Sequence, residues 1–227
     1  MGARLPRDLL DLLVPERCAV CALGEIPLCG ACREALLRIR PPVCARCGAP
    51  TAWPVRRCAE CAGRRIPFAS ARAALVYEGA ARTLVAGWKE RGRRGLASTL
   101  AELVVEAVAR PPVEALAFVP GDRERTLWRG QNAAEALARA LSERWALPVM
   151  PLLARTGRTP RQRGLARAER RANVRGAFAA APSAPRRIAL VDDVYTTGAT
   201  VSAATTELRR AGARAVHVVT LARAVRR

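Results

Sequence analysis

Four Cys-x-x-Cys pairs near the amino terminus constrain this chain more than any other feature of its sequence. All eight cysteines lie within the first 61 residues, as the pairs Cys18/Cys21, Cys29/Cys32, Cys44/Cys47 and Cys58/Cys61. Each Cys-x-x-Cys turn presents two thiolates to one tetrahedral ion, so four turns can supply two four-cysteine zinc sites. Disulfides are the less favoured alternative, because closely spaced pairs indicate metal or redox roles in reducing compartments. A thioredoxin-like redox site would need fewer pairs.

Two pairing schemes can build two sites from these four turns. Sequential pairing joins the first turn to the second and the third to the fourth, whereas a cross-brace joins first to third and second to fourth. We favour sequential pairing because the connecting segments are short. The segment holds few large apolar residues, so zinc has to supply much of its folding free energy, on the order of 10 kcal/mol per site. Four thiolates leave no open coordination position, so both Zn2+ ions are expected to be structural.

The chain changes character after residue 66, where strand and helix patterns alternate. Short apolar runs predict buried strands at 72–77, 116–119, 188–191 and 215–221. Such strands separated by helices are typical of a parallel α/β sheet. We therefore predict a zinc-ribbon module over residues 1–66 and an α/β domain over residues 67–227.

Amphipathic stretches between these runs predict the helices. Residues 131–145 and 201–213 place apolar side chains on one helical face. Thr99 with Glu102 forms a capping-box pattern that predicts the start of a further helix. His217, the single histidine, lies inside the last predicted strand, where a core role is expected rather than a catalytic one.

Residues 188–200, IALVDDVYTTGAT, are the most informative part of the α/β domain. A buried strand leads into Asp192 and Asp193, and a Thr-rich turn with Gly198 then leads into a helix. Ligands of open α/β sheets bind at the carboxyl ends of strands, and a helix N-terminus offers N–H groups to a phosphate. Carboxylates would repel that phosphate, so their partners should be sugar hydroxyls or a divalent metal. The segment therefore predicts a site for a 5-phosphorylated ribose.

This segment resembles the phosphoribosyl pyrophosphate motif of type I phosphoribosyltransferases. The resemblance implies that Asp192 and Asp193 bind the ribose 2′- and 3′-hydroxyls. It also implies that the 5-phosphate is held by the turn formed by Thr196, Thr197, Gly198, Ala199 and Thr200.

The order of motifs along the whole chain extends the resemblance. The cysteine pairs are followed by WKERG (88–92), VPGDRERTLWRGQN (119–132), RTGRTPRQRGLARAERRANVRGAF (155–178) and VDDVYTTGAT (191–200). This order is similar to that of the late-competence ComF family, in which a zinc ribbon precedes a phosphoribosyltransferase-like domain. The resemblance implies that fold, a role in DNA uptake with single-stranded DNA as partner, and a competence helicase as a further partner.

Two further segments correspond by position to loops of phosphoribosyltransferases. Residues 120–130 match the loop that cradles pyrophosphate, and residues 155–175 match the mobile loop that closes over the site. Arg129, just before a predicted helix, is the better phosphate candidate, whereas Arg123 and Arg125 are equally well explained as surface residues. After Val119 the chain reads Pro-Gly-Asp, where the family commonly has Pro-Val-Pro, and this departure counts against a pyrophosphate role.

The charge of the chain favours anionic partners. Its formal net charge is +20, and Lys89 is the single lysine among 39 basic residues, which suggests a role for its compact ammonium at the phosphate site. Two four-thiolate zinc sites of about −2 each would lower that charge to about +16. Residues 155–175 hold eight arginines and one acid. Trp88 and Trp128, beside Arg-rich stretches, are the candidates for stacking on nucleic-acid bases.

The sequence predicts a cytoplasmic protein. No uncharged apolar run reaches the ~18 residues that a membrane span needs. Asp8 and Asp11 interrupt the apolar stretch at the amino terminus, which makes it a poor secretory signal.

Two functions of different classes fit these features. The first is a protein that binds phosphoribosyl pyrophosphate or a nucleotide and handles single-stranded DNA in competence. The second is an active phosphoribosyltransferase that uses Mg2+ and transfers ribose 5-phosphate to a nucleobase or amine. The sequence identifies no general acid or base, with Asp192 and Asp193 as the only candidates.

Overall fold

A computed structural model describes residues 17–24, 26–90, 96–122, 126–127, 131–156 and 176–225 of the chain. Its elements in chain order are α1 (Gly30–Glu34), β1 (Ser70–Val76), α2 (Gly79–Glu90), α3 (Leu96–Ala107), β2 (Ala115–Phe118), α4 (Ala133–Trp145), β3 (Leu153–Arg155), β4 (Phe178–Ala180), β5 (Arg187–Tyr195), α5 (Ala199–Arg210) and β6 (Ala215–Arg223).

Four strands form the parallel sheet that the sequence predicts, in the order β1-β6-β5-β2. Residues 188–191 of β5 and all of β2 are buried, as expected for strands covered on both faces. Strands β3 and β4 form a separate antiparallel pair. The predicted fold class, a parallel-sheet α/β domain preceded by a small cysteine-rich module, is confirmed.

Helices α3 and α4 pack against one another and against the sheet, while α5 packs against β5 and β6. Helix α4 begins after Asn132, whose side-chain oxygen accepts a hydrogen bond from the amide of Ala134. The side-chain amide of Asn132 also donates to the carbonyl of Val119 at 3.2 Å. One side chain thus caps the helix and ties it to the end of β2.

The capping box predicted at Thr99 is wrong. Helix α3 already begins at Leu96, so Thr99 lies within the helix. Glu102 instead accepts a hydrogen bond from Arg144 of α4 at 2.9 Å. The pattern matched because a Thr and a Glu three residues apart also suit a first helical turn.

The cysteine-rich module covers the outer edge of β1. The amide of Ile39 donates to the carbonyl of Ala74, and the amide of Val76 donates to the carbonyl of Leu37. The amide of Ala71 donates to the carbonyl of Arg46. These bonds satisfy backbone groups that an exposed edge strand would leave unpaired.

His217 is partly buried rather than in the core, where the sequence predicts it. It lies on β6, opposite Ser70 of β1, and its Nδ1 atom is 2.9 Å from the Ser70 hydroxyl oxygen. Partial burial, followed by the charge of Arg72, lowers the pKa of His217. In the described part of the chain, none of the helices has the length and apolar character that crossing a membrane requires.

Candidate functional site

The eight cysteines form two clusters, each with the geometry of a tetrahedral metal site. The clusters are Cys18/Cys21/Cys29/Cys32 and Cys44/Cys47/Cys58/Cys61, and within each one the sulfur atoms lie within 4.8 Å of one another. This is the sequential pairing, so the cross-brace is excluded. The sulfurs of Cys47 and Cys58 are 3.4 Å apart, close to the ~3.8 Å edge of a tetrahedron with Zn–S bonds of about 2.3 Å. The donor sets therefore fit two structural Zn2+ ions.

Backbone N–H groups support the thiolate form of one cysteine in each cluster. Burial alone would raise the pKa of Cys44, but hydrogen bonds from the backbone at Cys47 and Cys58 outweigh it and bring that pKa to about 6. Cys18 has the same arrangement and a pKa of about 6. Stabilised thiolates are the ligand form that zinc requires.

The structure brings Lys89 to the acidic pair. Lys89 is in the last turn of α2, and its Nζ atom lies 2.5 Å from Oδ2 of Asp193. Both side chains are largely shielded from solvent, which strengthens their attraction relative to a surface ion pair. Lys89, the single lysine of the sequence, thus lies at the predicted site. Its ammonium compensates the charge of one of the two carboxylates there.

The two carboxyl groups have different environments. Burial is the main cause that raises the pKa of Asp192 to about 7, and the negative charge of Asp193 adds to it. The amide of Asp193, which donates to Oδ1 of Asp192 at 2.9 Å, and the charges of Lys89 and Arg155 oppose this rise. Asp192 can therefore exchange a proton near neutral pH, while Asp193 is held in an ion pair.

The acidic residues lie within a strand rather than after one. The sequence predicted that the strand would end at residue 191, but β5 continues to Tyr195 because β6 also continues, to Arg223. Asp192 pairs with Thr220, and Tyr195 pairs with Arg223. Backbone pairing with a neighbouring strand extended β5 through polar positions that local sequence patterns assign to a loop.

The turn from β5 to α5 is the predicted phosphate site. Gly198 has a φ of 72°, and a Cβ atom there would lie 2.4 Å from the hydroxyl oxygen of Tyr195. The amide of Ala199 donates to the hydroxyl oxygen of Thr197 at 3.3 Å. Thr196 is exposed, whereas Thr200 is partly buried in the first turn of α5. Because the first N–H groups of a helix lack intrahelical acceptors, this turn can bind an anion.

The starts of the two candidate phosphate loops meet near Asp192. The Arg155 Nε atom donates to the carbonyl of Pro120 at 3.2 Å, and the Arg155 guanidinium stacks on the ring of Phe178. The charge of Arg155 also lowers the pKa of Asp192. Arg123, Arg125, Arg129 and residues 157–175 lie outside the described residues.

Of the three tryptophans that the structure describes, two are buried and one is exposed. Trp88 is 0% exposed, so the prediction that it offers a stacking surface is wrong: its ring is part of the core. Trp145 is buried on α4, and Trp128 lies outside the described residues. Trp53, between Cys47 and Cys58 in the sequence, is 68% exposed. Sequence reasoning passed over Trp53, although Arg56 and Arg57 follow it closely.

Sequence reasoning also missed Arg64, which contacts the phosphate turn from the cysteine-rich module. Its Nη2 atom donates to the carbonyl of Thr197 at 2.9 Å. Arg64 and Thr197 are 133 positions apart, so local sequence patterns contain no signal for this contact.

Comparison with known proteins gives consistent similarities over nearly the whole chain. Residues 9–62 match the double zinc ribbon domain family. The chain is 30% identical to Competence protein F of Haemophilus influenzae, over 92% of this chain and 97% of that protein. It is 31% identical to DNA utilization protein YhgH of Escherichia coli strain K12, over 93% of this chain and 99% of that protein.

Among solved structures, a glutamine phosphoribosylpyrophosphate amidotransferase from B. subtilis is similar with a TM-score of 0.37 and 25% sequence identity. That match covers 57% of this chain and 26% of the amidotransferase chain.

Proposed function

The chain belongs to the late-competence ComF family, the family of Competence protein F. From this premise we propose that it binds phosphoribosyl pyrophosphate or a nucleotide at the turn after β5. The names of its relatives support a role in competence or DNA utilization, and residues 191–200 resemble the phosphoribosyl pyrophosphate motif of type I phosphoribosyltransferases. The observation that carries the proposal is the close succession of a carboxylate pair, a Gly198 turn and a helix N-terminus at one strand end.

The charges of this region suit a phosphorylated sugar in one orientation. The N–H groups at the start of α5 favour the 5-phosphate, whereas Asp192 and Asp193 favour neutral hydroxyl donors. Lys89 compensates Asp193 and so reduces its repulsion of a bound phosphate. A ribose with its phosphate on the turn and its hydroxyls toward β5 satisfies both requirements.

Calorimetric titration with ribose 5-phosphate and with phosphoribosyl pyrophosphate tests this proposal. We expect both ligands to bind the native protein, and Asp192→Asn/Asp193→Asn to weaken binding about 10-fold or more through lost hydrogen bonds to the hydroxyls. Glu207→Gln is the matched control, because Glu207 is an acid on α5 that pairs with Arg210. Equal affinities in the native protein and the double variant would refute the proposed orientation.

Single-stranded DNA is the second proposed ligand, and Trp53 is the observation that favours it. Its exposed indole is followed by the exposed side chains of Arg56 and Arg57 in a chain of net charge +20. An aromatic ring beside cationic groups is the arrangement that stacks on bases and neutralises phosphates.

Fluorescence anisotropy with a labelled oligothymidylate tests the role of Trp53. We expect Trp53→Ala to weaken binding about 10-fold, since stacking on one base contributes about 1–3 kcal/mol. Arg56→Gln/Arg57→Gln should instead reduce the slope of log K against log salt concentration. Leu23→Ala is the control, because Leu23 is 70% exposed on the first cluster. If Trp53→Ala binds as tightly as the native protein, Trp53 is no stacking surface.

Asp192 favours a catalytic alternative, the Mg2+-dependent transfer of ribose 5-phosphate to a nucleobase or amine. Its pKa of about 7 suits a group that exchanges a proton with an acceptor. Carboxylate oxygens are acceptable ligands for Mg2+, but Asp193 is already paired with Lys89. The two carboxylates therefore suit Mg2+ that is already bound to pyrophosphate better than Mg2+ that only the protein would hold.

Release of pyrophosphate from phosphoribosyl pyrophosphate, measured with a panel of bases and amines, separates binding from catalysis. Under the catalytic alternative, release should require an acceptor and should fall strongly in Asp192→Asn. Ligand binding without release for any acceptor would eliminate this alternative and leave the binding function in place.

A further inference from the structure

A buried arginine joins the second cysteine cluster to the sheet. Arg223, at the end of β6, is 1% exposed. Its guanidinium donates to the carbonyl oxygen of Cys47 and to Oε2 of Glu60, the latter at 2.9 Å, and it lies 3.7 Å from the Cys47 sulfur. A buried charge is costly unless its hydrogen bonds are satisfied. Cys47 of the second cluster and the neighbouring Glu60 supply partners for the two terminal nitrogens, whereas the buried Nε atom of Arg223 has no hydrogen-bond partner.

The same guanidinium packs on the residue beneath the phosphate turn. The Arg223 Cζ atom lies 4.5 Å from the centre of the Tyr195 ring, and Phe68 contacts that ring edge-on. The hydroxyl of Tyr195 occupies the space where Gly198 would carry a side chain. The Tyr195 ring, held from one side by Arg223, therefore supports the backbone of Gly198.

Arg64 provides a second connection between the same two regions. It follows Cys61 by three residues, and its Nη1 atom donates to the carbonyl of Glu60 at 3.1 Å. Its Nη2 atom donates to the carbonyl of Thr197. The second cluster is thus connected to the turn at Thr197 through Arg64, and at Gly198 through Arg223 and Tyr195.

We propose that the second zinc site holds the phosphate turn in its binding conformation, with Arg223 as the positioning residue that connects them. Zn2+ held by the second cluster would order Cys47 and the segment that carries Glu60. These groups fix the guanidinium of Arg223, and Arg223 fixes Tyr195 under Gly198. The affinity of the turn for a phosphate monoester then depends on Arg223, although Arg223 does not touch the ligand. This dependence rests on the proposed phosphate binding at residues 196–200.

Three variants of the zinc-loaded full chain test the connection. Arg223→Met removes the charge and the planar stacking group. Arg223→Lys keeps a buried charge but loses the planar fork, and it covers the case in which the Met variant does not fold. Arg33→Met is the control, because Arg33 docks the first cluster on α3 through ion pairs with Glu102 and Glu106.

Two readouts are needed: the dissociation constant for ribose 5-phosphate, and the amide hydrogen exchange of residues 195–201. Metal analysis should first show that each variant retains both zinc ions. Arg223→Met should then bind ribose 5-phosphate about 10-fold more weakly, and its amide hydrogens in residues 195–201 should exchange faster. Arg223→Lys should change both in the same direction, and Arg33→Met should change neither.

The two readouts distinguish failure of this inference from failure of the proposed function. If the native protein does not bind ribose 5-phosphate, but Arg223 variants still accelerate exchange in residues 195–201, the connection stands and the ligand assignment is wrong. Unchanged exchange and unchanged affinity in zinc-loaded Arg223 variants would overturn the connection itself.

Discussion

The two cysteine clusters have the same ligands and different attachments to the rest of the molecule. The first is docked on α3 by partly exposed ion pairs of Arg33 and Arg38 with Glu106. The second is docked on the sheet by Arg223, whose buried guanidinium contacts Glu60 and Cys47. Exposed ion pairs contribute little to stability, whereas removing one partner of a buried pair is strongly destabilising. The residues that attach a metal site to the rest of the protein therefore determine how much the site contributes to the stability of the whole chain.

Loss of a zinc ligand should give the largest difference between the clusters. Cys47→Ser removes a buried ligand that also contacts Arg223, whereas Cys21→Ser removes an exposed one. We expect Cys47→Ser to lower the free energy of unfolding by several kcal/mol more than Cys21→Ser, out of the roughly 10 kcal/mol that such a site contributes. Urea unfolding with zinc analysis of each variant measures this. Equal losses would show that attachment to the sheet adds nothing.

Substitution of Arg223 and of Arg33, which dock the two clusters, should give a smaller difference in the free energy of unfolding. Arg223→Met leaves Glu60 without its buried partner and should cost about 3–5 kcal/mol in unfolding free energy. Arg33→Met breaks partly exposed ion pairs and should cost at most about 1 kcal/mol. The two unfolding free energies, measured in urea at one pH, give the comparison. A cost for Arg33→Met as large as that for Arg223→Met would contradict the distinction between the clusters.

The pH dependence of stability tests the carboxylate pair on β5, Asp192 and Asp193. The pKa of Asp192 is raised from 3.8 to about 7, so above pH 4 the folded state retains a proton that the unfolded state has lost. The contribution of Asp192 to stability is therefore greatest at low pH and falls as pH rises from about 4 to 7. Asp192→Asn should be more stable than the native protein at pH 8, by up to about 4 kcal/mol, and similar to it near pH 4.

Thermal unfolding across this pH range checks the sign, with Glu207→Gln as the control carboxylate. A native protein that gains stability from pH 4 to pH 7 relative to Asp192→Asn would show that Asp192 is ionised throughout. In that case the catalytic alternative would also lose its candidate for proton exchange.

Much of the architecture was predictable because local chemistry determines it. Apolar runs at 116–119 and 188–191 suit only buried strands, and both are strands of the parallel sheet. Short connectors between Cys-x-x-Cys turns favour sequential pairing, which the clusters confirm. Lys89 was identifiable because its residue type is rare in this chain, and it lies against Asp193. In each case the signal lay in neighbouring residues or in composition.

The features that were missed depend on residues distant in sequence. Arg223 and Cys47 are 176 positions apart, and an arginine near the end of an arginine-rich chain is inconspicuous. The burial of Trp88 and the exposure of Trp53 depend on which surfaces other elements cover. The extension of β5 past Asp192 depends on hydrogen bonds to β6.

The amino-acid sequence alone was sufficient to predict the two four-cysteine sets, the alternation of strands and helices, and the turn that we propose binds phosphate. These follow from ligand chemistry, apolar periodicity and the spacing of residues along the chain. Tertiary structure decided the raised pKa of Asp192, the pairing of Lys89 with Asp193, and the contact of the second cluster with Tyr195 through Arg223. The physical reason is that burial and electrostatic interactions depend on distances in space, which the chain acquires only when the sheet and the zinc module pack together.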